Sequence, residues 1–497
     1  MQNTEILVIG SGMAGLTAAA LLACDGYPVT ILEQNWLPGG CSSSYPRKHF
    51  WFESGATTLV GLDPGMPVHF LLEKTGISVP IKKLETPMLV YLRDGRVITR
   101  YPDLDLWIAE AERVFGPKGQ RPFWEYCYRI SLFVWQTSLQ QRAFPPSSLN
   151  DILDMVRNFR PAQLRFAALA YPSVGDLLRK YGLDQNPDFV DFVNEQLLIT
   201  AQNYLEEVNV LFGATALCYT LFSNFYVPGG MIKLVESLTG YIESRGGKIE
   251  LRNPVEKVSR VKGGYIVQSK KGEYKTAKLI SSLPINNTLA LFDDPVLTKK
   301  YAKKVMPSAS LNSAFSLGFA AKRFREFESL HHQIHLEKPF SFTQARSIFL
   351  SLSDPEDTIR CEPGQVVGSV SFHLPNPGEQ QVENKETVQE EVLDLLEKRG
   401  FIRREDLLYV HSSTQKSWEK WTGRKWGFVG GYPQYLRIKP WQMIDARLNR
   451  EGAYICGDSV YPGQGIPGAC LSGIIAWKKL SADWHRRLAV FSTSATG

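Results

Sequence analysis

The chain has 497 residues, of which 44% are hydrophobic and 21% charged, and a formal net charge of +6. This length exceeds one ordinary core and predicts two domains, while the composition excludes a disordered chain. The basic excess is mild and forms no long run, which argues against nucleic acid and suits an anionic membrane surface.

In chain order, Ile6-Leu7-Val8-Ile9 predicts a strand within a few residues of Met1, so no signal or transit peptide is expected. Gly10-Ser11-Gly12-Met13-Ala14-Gly15 and the apolar run 16–23 follow as a tight turn and a helix. A glycine loop after a strand lets backbone N–H groups and a helix N-terminus approach a pyrophosphate. Gly10 permits the turn, Gly12 the close approach and Gly15 the packing of helix on strand, with Met13 and Ala14 at the helix start. Residues 29–33 form the next strand and end in Glu33, followed by Gln34. An acid about 20 residues after the loop suits the diol of an adenosine ribose without a 2′-phosphate.

Residues 208–232 carry no charge and are long enough to span a bilayer. Asn209, Ser223, Asn224 and the break Pro228-Gly229-Gly230 instead predict a buried helix leading into a turn, with no transmembrane helix. An amphipathic helix over 231–244 ends at Gly246-Gly247, and 248–251 begin a strand. Residues 255–261 and 265–268 around Gly263-Gly264 predict a hairpin, and 279–284 a short buried strand. Dinucleotide-binding elements thus occupy 1–60, 228–290 and 445–480. The blocks 61–227, rich in helix formers and aromatics, and 291–444, more sheet-like as in 366–372, are expected to fold beside them as a substrate domain. His331, His332 and His335 cluster without nearby cysteine, which predicts a polar surface loop in preference to a metal site. The seven cysteines are scattered with no C-x-x-C pair, a pattern of reduced thiols in a cytoplasmic-type compartment. Residues 492–497 read as a frayed tail.

Further motifs narrow the cofactor. Pro38-Gly39-Gly40-Cys41 precedes Phe52-Glu53-Ser54-Gly55-Ala56, and Tyr226-Val227-Pro228-Gly229-Gly230-Met231 stands ahead of a helix. Gly457-Asp458 is followed by Pro462-Gly463-Gln464-Gly465-Ile466-Pro467-Gly468. With these residues the chain resembles the flavoprotein superfamily of amine oxidases, phytoene desaturases, carotenoid isomerases and retinol saturases. The resemblance implies an α/β fold with a Rossmann-like FAD-binding domain, an interleaved α+β substrate domain and non-covalent FAD. It implies flavin contacts from Gly39, Gly40, Cys41, Gly55 and Ala56 and a backbone contact to adenine from Val255. Asp458, after Gly457, is expected at the ribityl–pyrophosphate region, and Gly465, Ile466 and Pro467 beside the flavin ring.

Amine oxidases usually carry arginine after the two glycines. Cys41 stands there, as a small residue does in the carotenoid branch. The 426–433 segment resembles the C-3′,4′ desaturases of that branch. The resemblance therefore implies a desaturase acting on an acyclic carotenoid, with a carotenoid cis–trans isomerase or a retinol-saturase-like reductase as alternatives. A prenyl-binding carrier of the GDP-dissociation-inhibitor type shares the fold, but it needs neither the glycine loop, Glu33 nor Asp458. Flavin would carry the chemistry, so no catalytic acid or base is assigned; Glu53, Arg47 and His49 serve equally well to hold the flavin or cap a turn. A polyene needs an apolar tunnel, for which 123–135 and 211–225 are candidates beside the simpler reading as core. Its membrane-dissolved state implies peripheral membrane contact, with Phe123-Trp124…Arg129 and Phe159-Arg160…Arg165-Phe166 as candidate patches, and an electron acceptor such as quinone or oxygen.

Overall fold

A computed structural model describes residues 1–494, apart from the side chains of 162, 164, 165 and 485–494. The expected α/β fold is found. Five strands pair in parallel in the order Ala453–Ile455, Gly272–Ser281, Gln2–Ile9, Val29–Leu32 and Lys248–Glu250. Val255–Val261 and Gly264–Ser269 form the expected hairpin at one edge. The short strand expected at 279–284 is the end of the longer strand Gly272–Ser281.

The parallel register explains where a ligand can sit. Ile9 lies opposite both Leu32 and Ser281, and Ser281 lies opposite Ile455. Four strands therefore end level, and Gly10, Glu33, Ser282 and Cys456-Gly457 leave from their carboxyl ends, where open parallel sheets bind ligands. The helices Met13–Cys24, Ile232–Ser244 and Gly465–Ser494 bury one apolar core against this sheet. On its other side Leu7, Ile9 and Leu32 share a core with Leu311, Phe428, Tyr432 and Ile444.

A second sheet of seven strands runs in the order Leu407–Ser413, Asn312–Lys322, Gln365–Pro375, Ser347–Leu352, His331–His335, Met88–Tyr91 and Val97–Arg100. It joins strands from both 61–227 and 291–444. The rest of 61–227 is mainly helical and packs its own core around Trp107, Trp124, Phe189 and Phe192.

Two expectations need correction. The histidine cluster is a fully buried strand, His331–His335, and no surface loop. Alternation of sheet faces hides His332 among Tyr91, Phe327 and Phe401. Phe123 and Trp124 are 0% exposed, so their segment is core and no interfacial patch. Of the second patch, Phe159 and Arg160 are exposed and Phe166 is stacked on Phe133, while the side chain of Arg165 lies outside the described residues. The uncharged stretch 208–232 holds the short helix Val210–Leu217 and then a turn. Among the described residues no helix is long and apolar enough to cross a membrane. The last helix reaches Ser494, and 495–497 of the expected tail lie outside the described residues.

Candidate functional site

The loop after the first strand is shaped by two glycines. Gly10 has φ +88°, and a Cβ on Gly15 would lie 2.6 Å from the Gly10 carbonyl and 2.8 Å from Ser282 Cβ. Gly15 instead donates its N–H to Ser282 Oγ at 3.0 Å. Helix and strand therefore meet at contact distance, which a side chain would prevent. Gly12 is different. A Cβ there would meet only Ser282 Oγ, at 3.7 Å, and no side chain caps the helix that Gly12 starts. That uncapped N-terminus lines a cavity and offers backbone N–H groups to an anion.

The cavity has a volume of about 1280 Å³, above the ~300–1,000 Å³ of ordinary ligand pockets. It brings together every cofactor residue named from the sequence except Gly15, which is used in packing. The residues come from three distant parts of the chain: Gly10–Ala56, Val255 and Gly457–Pro467. At one side Glu33 closes the loop. Its Oε2 accepts from the Ser11 N–H at 2.9 Å and Ser11 Oγ at 2.6 Å, and its Oε1 accepts from the Asn35 N–H at 2.9 Å. Gly457 donates its N–H to Ser472 Oγ at 3.0 Å.

Several cavity residues carried no signal in the sequence. Arg424 pairs with Asp458 at 2.9 Å, so the aspartate expected near the pyrophosphate has a cation beside it. The helix Gln415–Thr422 ends over the loop, where Trp421 donates Nε1–H to the Gly40 carbonyl and accepts from Asn35 Nδ2. Tyr45 Oη and His411 Nε2 are 2.7 Å apart, and Gln202 Nε2 and His373 Nε2 are 2.8 Å apart. His331 lies between Thr58 Oγ1 at 2.8 Å and Ser351 Oγ at 2.9 Å. Burial lowers His331 to about 3 and His373 and His411 to about 4, so these rings are neutral at pH 7. The pairs Tyr45–His411, Gln202–His373 and Thr58–His331 lie 366, 171 and 273 positions apart, and no spacing rule links them.

Of the candidates without a role, Arg47 lines the cavity and His49 does not. Glu53 is buried and supports the Gly229-Gly230 turn, accepting from Ser44 Oγ at 2.6 Å and from the Met231 N–H at 3.2 Å. Arg360 lies 3.5 Å from Glu53, and Asp357 accepts from Tyr226 Oη at 2.6 Å and the Gly229 N–H at 2.8 Å. Burial pushes the Glu53 carboxyl up, against the opposing pull of Arg360.

Beyond the loops the cavity becomes apolar, with Val134, Trp135, Phe212, Phe222 and Phe349 in its wall. The two candidate tunnel segments thus divide: Phe123, Trp124 and Ile130 are core, and Val134, Trp135, Phe212, Tyr219 and Phe222 reach the cavity. All seven cysteines are free. Cys41 is the one that lines the cavity among the described residues, and burial raises its thiol.

The family model described as flavin containing amine oxidoreductase matches residues 13–476. The chain belongs to this family. It is a flavin-dependent oxidoreductase, and the uncapped helix start, the open face of Gly12 and the level strand ends fit a dinucleotide form of that cofactor. Prolycopene isomerase 1, chloroplastic, of an Oncidium hybrid cultivar is 25% identical over 97% of this chain and 84% of its own length. A 4,4′-diapophytoene desaturase (4,4′-diapolycopene-forming) of Methylomonas sp is 23% identical over 100% of this chain and 99% of its own. Among solved structures, a putrescine oxidase bound to putrescine shares the fold at TM-score 0.64 and 12% identity, covering 97% of this chain and 99% of that one.

Proposed function

We propose that the protein binds FAD non-covalently and desaturates an acyclic carotenoid, in the manner of a C-3′,4′ desaturase. The observation that carries this reading is the single cavity that begins at an uncapped helix N-terminus and continues between aromatic walls. Gly10, Gly12, Met13 and Ala14 would hold the pyrophosphate, Glu33 and Gln34 the adenosine ribose, and Val255 the adenine. Gly39, Gly40, Cys41, Gly55, Ala56, Gly457, Asp458, Gly465, Ile466 and Pro467 would surround the ribityl chain and flavin. A protonated Cys41 thiol favours non-covalent attachment, since the thiolate is the reactive form. The blocks 1–60, 228–290 and 445–480 would form the FAD domain, and 61–227 with 291–444 the substrate domain.

Bound FAD would supply a hydride acceptor. The chain's own part is to hold the polyene straight, exclude water and present uncharged walls. The aromatic residues do the first two, and the neutral histidines the third. Electrons would leave to quinone or oxygen, and the protein would work peripherally on a membrane in a cytoplasmic compartment.

Isomerisation is the second reading, favoured by the prolycopene isomerases among the relatives. Mass analysis of the pigment made from lycopene or a hydroxylated acyclic carotenoid separates the two. Loss of a hydrogen pair indicates desaturation, unchanged mass with altered geometry indicates isomerisation, and added hydrogens indicate reduction. A protein that stays colourless and cannot be reconstituted with FAD overturns both readings.

A further inference from the structure

The helix Leu149–Arg157 is amphipathic with its apolar side outward. Leu149, Ile152, Leu153 and Val156 recur at i, i+3, i+4 and i+7 and share one face. They are 80, 49, 54 and 66% exposed, and Phe159 just beyond is 46% exposed. The inward side is polar and fixes this orientation. Asp151 is buried, accepts the Ser147 N–H at 3.0 Å, lies 3.7 Å from Lys479 and pairs with Arg447. Arg447 also holds Asp483 at 2.7 Å, and Lys479 holds Asp445. Turning the leucines inward would strand these charges, which a fold resists.

An exposed apolar face of this extent marks an interaction site. Charge selects its occupant. Arg157 and Arg160 are exposed at the end of the helix, and neither has a carboxylate partner among the described residues. An apolar stripe beside unpaired arginines is the pattern of a helix lying in the plane of an anionic bilayer surface. Position agrees. The helix follows Gln120–Gln140, whose Val134, Trp135 and Ser138 line the cavity. Between the two helices, Phe144 packs edge-on against the cavity residue Tyr461, with ring centres 4.8 Å apart.

We propose that the Leu149–Arg157 helix docks the protein on an anionic phospholipid bilayer, with Leu149, Ile152, Leu153 and Val156 in the headgroup–acyl boundary. The choice of lipid rests partly on the polyene reading, because a membrane-dissolved substrate needs the cavity brought to the bilayer.

Flotation with phosphatidylglycerol–phosphatidylcholine vesicles tests this without turnover. The combined Leu149→Gln, Leu153→Gln and Val156→Gln variant alters only exposed side chains, so its circular dichroism and flavin content should match the native protein. Its vesicle affinity should fall at least tenfold, since each methylene withdrawn from lipid weakens binding. Arg157→Gln with Arg160→Gln should lose about thirtyfold on the anionic vesicles and nothing on pure phosphatidylcholine.

Unchanged binding of the triple variant overturns the proposal. So does a native dimer that the triple variant converts to monomer while vesicle binding stays the same, which assigns the face to a second copy of the chain. Turnover of carotenoid in detergent micelles keeps the two claims apart. Vesicle binding without turnover counts against the desaturase reading alone, and turnover without vesicle binding counts against the docking helix alone.

Discussion

Replacing Gly12 with alanine separates contact with the cofactor from the integrity of the fold. Gly12 has φ −64° and ψ 168°, a conformation open to any residue. Its added Cβ would meet nothing of the protein closer than 3.7 Å. The apo protein should lose only the difference between glycine and alanine as a helix cap, about 0.5–1 kcal/mol, or a shift in Tm of about 1–2 °C. In the proposed FAD site the same Cβ would project into the space where the pyrophosphate approaches the helix start. Displacing even one charge-assisted hydrogen bond there costs about 1.5–3 kcal/mol, roughly 10- to 100-fold in Kd for FAD. Gly15→Ala is the contrast. Its Cβ falls 2.6 Å from a backbone carbonyl, so the apo protein itself should lose about 1–3 kcal/mol. The assay is quenching of FAD fluorescence by apoprotein, paired with thermal unfolding of the same preparations. Native FAD affinity in Gly12→Ala, or an apo Tm lowered as far as in Gly15→Ala, would refute the assignment of the loop.

Arg360→Met should destabilise the protein by about 3–5 kcal/mol, because it leaves Glu53 buried without its cation and removes the positive charge near Asp357. Adding Glu53→Gln should restore part of the loss in denaturant unfolding, whereas simple additivity of the two changes contradicts the pairing. Acid should weaken the fold early. Burial lowers His331 and His332 to about 3 and His335, His373 and His411 to about 4. The unfolded chain therefore binds more protons than the native one once pH falls below about 6.5, and stability drops from there towards pH 4. His332→Phe removes a ring whose two nitrogens have no hydrogen-bond partner, and it should flatten the slope by about one proton; a flat native profile between pH 7 and 5 contradicts the burial. Glu33→Gln keeps the loop's length but weakens its grip on the Ser11 and Asn35 N–H groups, so the apo protein should lose about 1–3 kcal/mol and FAD affinity should fall about tenfold.

The glycine-loop side of the cavity was legible in the sequence because local rules govern it. A strand, a glycine turn and a helix start are short-range features, and Gly10, Gly12 and Glu33 stand in fixed register within one βα unit. The same holds for the hairpin around Gly264 and for the helix Ile232–Ser244. What stayed hidden depends on pairing between distant segments. Nothing near Arg424 in the chain predicts Asp458 as its partner, and Tyr45 meets His411 only because the hairpin Ser44–Arg47/Phe50–Glu53 packs against the strand Leu407–Ser413 of the seven-stranded sheet. The histidine strand misled for a related reason. His331-His332-Gln333-Ile334-His335 lacks the apolar alternation of a buried strand, yet hydrogen bonds hold His331 and Gln333 on one face, and on the other aromatic rings enclose His332, whose ring nitrogens find no partner. The helix Leu149–Arg157 was not read from the sequence, and an i, i+3, i+4, i+7 stripe would have predicted burial; only the structure reveals that it faces outward.

The most direct test of the account is the mass of the carotenoid released when FAD-loaded protein meets an acyclic carotenoid in anionic vesicles with a quinone acceptor. The product should be lighter by one hydrogen pair, formed only with FAD present and lost in Gly12→Ala at limiting FAD. A pigment of unchanged mass, whatever its geometry, from protein with its flavin site filled would contradict desaturation.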